Sequence, residues 1–159
     1  MTRTLLTTLG VLALVYGLGV SPARAQNSED ADDPFTGTWE LAVGDSAFSS
    51  PPTMIRRVMR IETTDDGLRQ EIETVTNRYE TLKLVYEAKL DGHDYPTTGL
   101  SAFTNIAMTR VDDNTIERMG KVQGKVLETC LIKVSDDGQM LTLDIKGPTY
   151  SSMQVYHRQ

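Results

Sequence analysis

The stretch DPFTGTWEL, residues 33–41, marks the point where an acidic, aperiodic segment gives way to alternating apolar and polar side chains. Trp39, Leu41 and Val43 have one parity, and Thr38 and Glu40 have the other. Successive side chains of a β-strand point to opposite faces. The stretch therefore predicts a first strand near residues 37–43 with one buried face, and that face carries the only tryptophan of the chain.

Turn signals recur through the rest of the chain at a spacing of roughly ten residues, with β-branched and apolar runs between them. Examples are Asp65-Asp66-Gly67, Asp91-Gly92 and Asp136-Asp137-Gly138. Residues 45–48 are expected to form one helical turn, and no longer helix is predicted after the N-terminal segment. Further strands are predicted near residues 54–63, 68–76, 80–90, 103–111, 114–122, 125–134, 139–146 and 150–157, with a possible short one at 94–97.

Eight to ten consecutive strands linked by short turns indicate an all-β protein, either an antiparallel barrel or a sandwich. Residues 82–90 show the cleanest alternation, with Leu84, Tyr86 and Ala88 on one face and the lysines on the other. Short connections favour a meander, and closure removes the exposed edge strands. We therefore predict an antiparallel up-and-down β-barrel.

The N-terminal segment has the order of an export signal. Arg3 precedes an apolar run from Leu9 to Val20, and Ala23-Arg24-Ala25 supplies an A-x-A cleavage pattern. The apolar run is shorter than the roughly 20 residues that cross a bilayer, although a retained anchor is the alternative. We expect a signal peptide at 1–25, a flexible acidic tail at 26–33 and the barrel domain at 34–159, with a periplasmic or secreted location and no membrane span after cleavage.

Charge and cysteine content limit the partners of the chain. Its net charge is −6, and removal of Arg3 and Arg24 makes it more acidic, so no nucleic-acid partner is predicted. Cys130 is the only cysteine, so no disulfide can form within the chain. Because it lies in the apolar run 127–132, we expect a buried small side chain rather than an intermolecular disulfide or a reactive thiol. The oligomeric state is not indicated.

The segment FTGTWEL, residues 35–41, resembles the first strand of lipocalins and fatty-acid-binding proteins, the calycin group, which carries a Gly-x-Trp motif. Together with residues 46–48 and 86–99, it looks like a family of small secreted bacterial lipocalin-like proteins whose functions are largely unassigned. The resemblance implies that a late arginine, here Arg158, stacks across Trp39. Gly37, Trp39 and Arg158 are therefore expected to close one end of the barrel, and contact of Trp39 with a ligand is the alternative.

The residues that carry catalysis or bind metals in other proteins are not arranged here in a recognisable pattern. The histidines, His93 and His157, lack ligand spacing, and neither a Gly-x-Ser-x-Gly elbow nor a phosphate-binding glycine loop is present. We predict no metal, no cofactor and no catalytic residue. Residues 91–96, DGHDYP, hold groups suited to acid–base chemistry, but turn formation explains these residue types as well.

Polar residues placed on apolar faces are the better site candidates. Arg57 shares parity with Ile55, Met59 and Ile61; Arg118 with Ile116 and Val122; Glu128 with Val126, Cys130, Ile132 and Val134. If these faces point inward, the charged side chains must pair, reach water or meet a polar ligand group, whereas a β-bulge would turn them to solvent. The predicted ligand-binding residues are Arg57, Met59, Leu84, Tyr86, Phe103, Ile106, Met108, Arg118 and Glu128.

Three functions remain open at this stage. The favoured one is non-catalytic binding of a small, mainly hydrophobic molecule, with a carboxylate accepted by Arg57 or Arg118. The second is an isomerase-like or cyclase-like barrel enzyme that uses Tyr86 or Tyr95 with Glu128. The third is an envelope interaction or inhibitor protein with a solid core and an apolar outer patch.

Overall fold

The computed structural model describes residues 33–99 and 102–159. The predicted signal peptide lies outside the described residues, and so does the predicted acidic tail apart from Asp33. The strands are β1 (Gly37–Leu41), β2 (Ala47–Phe48), β3 (Met54–Thr63), β4 (Gly67–Thr76), β5 (Thr81–Lys89), β6 (Tyr95–Gly99), β7 (Asn105–Asp112), β8 (Thr115–Val122), β9 (Lys125–Val134), β10 (Met140–Lys146) and β11 (Ser151–Arg158). A 3-10 turn at Val43–Asp45 precedes β2, so the helical turn expected at 45–48 was misplaced.

The strands form one closed antiparallel sheet, ordered β1-β3-β4-β5-β6-β7-β8-β9-β10-β11 with β1 paired back to β11. Trp39 lies opposite Arg158 in the closing ladder. The short β2 pairs with the earlier part of β11, where Phe48 faces Ser152, and so it continues the position of β1 along the wall. The described residues therefore form a ten-strand up-and-down barrel, which confirms the predicted fold class.

Alternation along the strands builds the interior. In β10, Leu141, Leu143 and Ile145 are buried, whereas Thr142 and Asp144 between them are only partly covered. Burial of each large aliphatic side chain contributes about 1.5–3 kcal/mol relative to an exposed position. The apolar face of every long strand therefore points into one common core.

Two bulges change which residues face inward at one end of the barrel. The ladder between β3 and β4 shifts between Met54 and Arg56, and the ladder between β8 and β9 shifts between Gly120 and Lys121. Each shift inserts an unpaired residue and reverses the parity beyond it. The prediction that Ile55 and Val126 face inward was therefore wrong, since their exposed fractions are 51% and 47%.

On the core side of each bulge, the side chains keep the inward orientation that the sequence predicts. Arg118 and Glu128 are buried, with exposed fractions of 5% and 8%. Arg57 is half-buried and turned to the same interior as Met59. The bulges therefore turn the side chains of Ile55 and Val126 towards solvent, while the charged side chains stay in the interior.

One end of the barrel is sealed by the segment at residues 33–41. Trp39 is fully buried, and its Nε1 donates to the carbonyl oxygen of Phe35 at 2.9 Å. The guanidinium carbon of Arg158 lies 4.2 Å from the centroid of the Trp39 ring. Asp33 also belongs to this end, because it pairs with Arg110 and accepts a hydrogen bond from the Phe35 backbone nitrogen at 3.1 Å.

Arg158 links separate backbone segments at this sealed end. Its guanidinium donates to the carbonyl oxygens of Gly138 (2.6 Å), Thr36 (2.6 Å) and Pro34 (2.8 Å). Gly37 has φ +143°, and an added Cβ there would lie 2.5 Å from Nη1 of Arg158. Glycine is required at this position both by the backbone angle and by the space that the arginine occupies.

Candidate functional site

A cavity of about 510 Å³ occupies the opposite end of the barrel interior. Its mouth is formed by the loop at residues 49–53, the end of β4 at Thr76, and Tyr150 before β11. Barrels of about this strand number can enclose one small ligand. The apolar part of the lining includes Phe48, Met54, Met59, Ile72, Leu82, Leu84, Phe103, Leu143 and Ile145.

Arg57 supplies a positive charge to this lining. Its Nε donates to Oγ1 of Thr74 at 2.9 Å, and its Nη1 donates to Oε1 of Gln154 at 3.3 Å. Both partners are neutral, and among the described residues no carboxylate lies within ion-pair distance of the guanidinium. Arg57 therefore carries a charge that is hydrogen-bonded but not compensated.

Gln154 positions Arg57 from the neighbouring wall. Its Oε1 also accepts a hydrogen bond from the Tyr156 hydroxyl at 2.9 Å, and its Nε2 donates to Oγ of Ser152 at 3.2 Å. Burial raises the pKa of Tyr156 although the adjacent Arg57 opposes the shift, so the phenol stays protonated at neutral pH. Our sequence interpretation missed Gln154, yet the shared parity of residues 152, 154 and 156 on β11 is a signal for it.

Arg118 and Glu128 form a buried ion pair across β8 and β9. Nη2 of Arg118 lies 2.5 Å from Oε1 of Glu128, and their side chains are only 7% and 9% exposed. Burial by itself lowers the pKa of Arg118, but the neighbouring Cys130, Tyr86 and Glu128 groups raise it above the ordinary arginine value. The guanidinium is therefore charged at any physiological pH.

The second oxygen of Glu128 is bonded as well. The Tyr150 hydroxyl donates to Oε2 of Glu128 at 2.7 Å. Partial burial, followed by this bond to Glu128, raises the pKa of Tyr150 to about 12. Our sequence interpretation also missed Tyr150, which precedes β11 in the structure but shares the parity of residues 152, 154 and 156 in the predicted strand 150–157.

A fully buried group of polar side chains lies close to Arg118. The Tyr86 hydroxyl donates to Oε1 of Gln70, and burial raises the pKa of Tyr86 although nearby Arg118 opposes the shift. Burial likewise raises the pKa of the free thiol of Cys130 to about 11. Two buried side-chain donors, Nε2 of Gln70 and Nε of Arg118, have no acceptor among the described residues.

The structure separates the predicted ligand-binding residues into two groups. The cavity is lined by Arg57, Met59, Leu84, Phe103, Arg118 and Glu128. Tyr86, Ile106 and Met108 also face the interior, but they are at most 2% exposed and belong to the packed core rather than to the cavity lining. Parity fixes the face that a side chain takes and not its height along the barrel axis.

Residues 91–94 form a largely exposed turn before β6, and Tyr95, the first residue of β6, packs against the core. Oδ1 of Asp91 accepts a hydrogen bond from the His93 backbone nitrogen at 2.9 Å, and its Oδ2 accepts one from the Tyr95 hydroxyl at 2.9 Å. The backbone bond from His93 is the main reason that the pKa of Asp91 is lowered. In residues 33–99 and 102–159 no group of three or more acidic, histidine or cysteine side chains is arranged to hold a metal ion. Within the same ranges no helix is long and apolar enough to span a membrane.

The described residues form a closed ten-strand antiparallel barrel with a cavity at one end and the buried Trp39 at the other. Among solved structures, the chain is similar in fold to the fluorescent protein UnaG. The wild-type UnaG crystal structure has a TM-score of 0.55 and 15% identity, covering 79% of this chain and 97% of that one. Two UnaG mutants give TM-scores of 0.55 and 0.56 at 16% and 15% identity, covering 79% of this chain and 96% of theirs. No protein-family model matches the sequence, and a comparison with curated proteins gives no match.

Proposed function

We propose that the protein is an exported, non-catalytic binding protein that holds a small, mainly hydrophobic molecule with one anionic group in the barrel. The observation that carries this proposal is the cavity of about 510 Å³, whose walls combine apolar side chains with polar ones that include Arg57. An apolar cavity with a few convergent polar groups both retains and orients a ligand. The presence of the cavity also removes the solid core on which the interaction-protein alternative depended.

Arg57 is the group that we assign to the anionic end of the ligand. Arg118 already faces the carboxylate of Glu128, whereas Arg57 has only the neutral partners Thr74 and Gln154. A carboxylate placed at Arg57 gains charge-assisted hydrogen bonds without competition from a resident acid. The two arginines, which the sequence leaves equivalent, are therefore assigned different roles.

The proposal is tested with ligands that differ only in their head group. We expect dodecanoic acid to displace a fluorescent fatty acid at least about tenfold better than dodecanol, and dodecylamine to be the weakest, since hydrogen bonds to a charged group contribute about 1.5–3 kcal/mol. In Arg57→Met the preference for the acid should disappear. Native mass spectrometry of the purified protein should show a bound hydrophobic molecule. Failure of all three compounds to displace the probe would contradict the binding role.

Export is the second element of the proposal. It is supported by the basic, apolar and small-residue order of residues 1–25 and by Ala23-Arg24-Ala25. Fractionation of cells that produce the full chain should recover it outside the cytoplasm, with Gln26 as its first residue. Recovery of the uncleaved chain from the cytoplasm would overturn this part while leaving ligand binding to be judged separately.

Catalysis is the second candidate, and one observation favours it. A tyrosine and an acid do meet in the cavity, but the tyrosine is Tyr150 with Glu128; Tyr86 is bonded to Gln70, and Tyr95 to Asp91. The pKa of Tyr150, raised to about 12, makes its phenol a reluctant proton donor at neutral pH. Chemical conversion of a bound ligand, lost in Tyr150→Phe, would establish catalysis; unchanged ligand recovered after incubation favours binding alone.

A further inference from the structure

An aromatic ring from the loop before β7 occupies interior space beside Gly120. Gly120 lies on β8 and is buried, and it shares the inward parity of Ile116 and Arg118. A Cβ added to it would lie 2.7, 2.7 and 2.8 Å from Cδ1, Cε1 and Cζ of Phe103. The ring therefore fills the place in the barrel that a side chain at residue 120 would take.

The same ring separates Gly120 from the cavity. Arg118, two residues away on β8, borders the cavity, and so does Glu128, the ladder partner of Gly120 on β9. Phe103 borders it as well, and its side chain packs against the buried core. Gly120 does not border the cavity although it faces inward beside Arg118 and Glu128. Phe103 therefore covers Gly120 and forms the cavity wall at this point.

Hydrogen bonds fix the backbone that carries the ring. Oγ1 of Thr97 donates to the carbonyl oxygen of Phe103 at 2.7 Å. The backbone nitrogen of Thr104 donates to the carbonyl oxygen of Lys121 at 2.9 Å, and its carbonyl oxygen accepts from the backbone nitrogen of Thr97 at 3.2 Å. The main chain here is attached to both β6 and β8, so the ring can yield to a neighbour only by rotation of its own side chain.

The barrel topology places this part of the wall across the cavity from Arg57. Arg57 lies on β3 and Gly120 on β8, and four strands stand between them in either direction around the closed sheet. A ligand whose anionic group meets Arg57 extends its apolar chain towards the opposite wall. The ring of Phe103, seated on Gly120, belongs to that wall and limits the room for the chain.

We propose that Phe103, seated on Gly120, sets the longest apolar chain that the cavity accepts, and that Gly120 is a positioning residue that determines this limit through the ring. The inference rests on the proposed binding function and adds a determinant of ligand size at a distance from the anionic group. Arg57 selects the head group of the ligand, whereas Phe103 limits its length.

The test is a displacement titration with straight-chain saturated acids, from octanoic to octadecanoic acid in steps of two carbons. In the wild-type protein each further methylene group that is buried should tighten binding by about fourfold, and the gain should stop at one chain length. In Phe103→Ala this limit should move to a longer acid. The first acid beyond the wild-type limit should bind to Phe103→Ala about tenfold more tightly than to the wild type.

Circular dichroism checks that the variant is folded. Phe103→Leu provides a milder second variant, since it keeps an apolar side chain and removes only part of the volume of the ring. It should move the affinity of the same acid in the same direction by a smaller factor.

Gly120→Ala tests the position of the ring. The φ of Gly120 is not in the left-handed range, so alanine fits the backbone, but its methyl group would displace the ring towards the cavity. The longest acid that the wild type accepts should therefore bind about tenfold more weakly, whereas octanoic acid should bind as before. In the Phe103→Ala background the same substitution should leave the chain-length limit unchanged, because the two effects are coupled.

Phe48→Ala is the matched control for this coupling. Phe48 also borders the cavity, but it lies on β2, and the three atoms nearest to an added Cβ at Gly120 all belong to Phe103. Gly120→Ala should therefore weaken the same acid by about the same factor in the Phe48→Ala protein as in the wild type.

A continuous gain in affinity over the whole series in the wild type would overturn the assignment of Phe103 while leaving the binding function intact. An unchanged limit in Phe103→Ala, or equal effects of Gly120→Ala in the Phe103→Ala and Phe48→Ala proteins, would do the same. Failure of every acid to displace the probe would overturn both proposals together.

Discussion

The two ends of the barrel use arginine in opposite ways. At the sealed end, Arg158 donates to three backbone carbonyl oxygens and stacks on Trp39. At the open end, Arg57 donates only to the neutral side chains of Thr74 and Gln154. An arginine whose three guanidinium nitrogens each donate to the main chain stabilises the fold. An arginine with spare hydrogen-bonding capacity in a cavity is available to a ligand.

The largest expected effect is at the tryptophan seal. Trp39→Ala should lower the free energy of unfolding by about 3–5 kcal/mol, because it removes a fully buried aromatic ring and leaves a cavity. Urea denaturation measures this change. A loss below about 1 kcal/mol would show that the sealed end does not carry the stability that its packing implies.

Removal of single arginines from the two ends provides the most direct contrast. Arg158→Met should cost about 2–4 kcal/mol of stability, since it deletes three charge-assisted hydrogen bonds and one cation–π contact. Arg57→Met, the matched variant at the open end, should change stability by less than about 1 kcal/mol, because it relieves an uncompensated charge. Equal losses in urea denaturation would remove the distinction between a structural and a ligand-binding arginine.

Glycine substitutions test how tightly the sealed end is packed around Gly37. Gly37→Ala should destabilise by about 1–3 kcal/mol, because φ is +143° and the new methyl group would meet Arg158. Gly44→Ala is the matched control, since nothing lies within 4 Å of an added Cβ there and its φ is not in the left-handed range. Thermal denaturation of the pair should show a clear loss for the first only; similar melting temperatures would contradict the tight fit around Gly37.

The smallest expected effect concerns Cys130, a buried residue of β9. Burial raises the pKa of Cys130 from 9.0 to about 11, so the folded protein holds this proton at pH values where the unfolded chain has lost it. Stability should therefore decline from about pH 9 to about pH 11, by about 2 kcal/mol or less from this group. Cys130→Ala should show a shallower decline in urea denaturation across that range. Parallel profiles for the two proteins would indicate that water reaches the thiol.

The period of two in the sequence correctly predicts most strands because alternation reflects burial of one face, and each turn is marked locally by Asp, Asn or Gly. It also indicates that Arg57, Arg118 and Glu128 turn inward. The bulges beside Met54 and Gly120 could not be predicted, since an inserted residue leaves no mark in the pattern.

Depth along the barrel axis is likewise invisible to alternation. Ile106 and Met108 therefore share the inward parity of the lining residues and still lie in the packed core. Tyr150 contributes to the site from a position just before β11, although the sequence predicts it as the first residue of that strand. The composition of the wall is thus largely readable from the sequence, while the extent of the cavity depends on tertiary packing.

Both ends of the described chain lie at the tryptophan seal. Asp33 is bound to Arg110, and the backbone nitrogen of Gln159 donates to the carbonyl oxygen of Thr38 at 2.9 Å. A linker attached after Gln159 would therefore leave the cavity mouth facing away from the attachment point. Through such a linker the protein can be immobilised on a sensor surface and screened in flow against compound libraries with the cavity mouth exposed to solution.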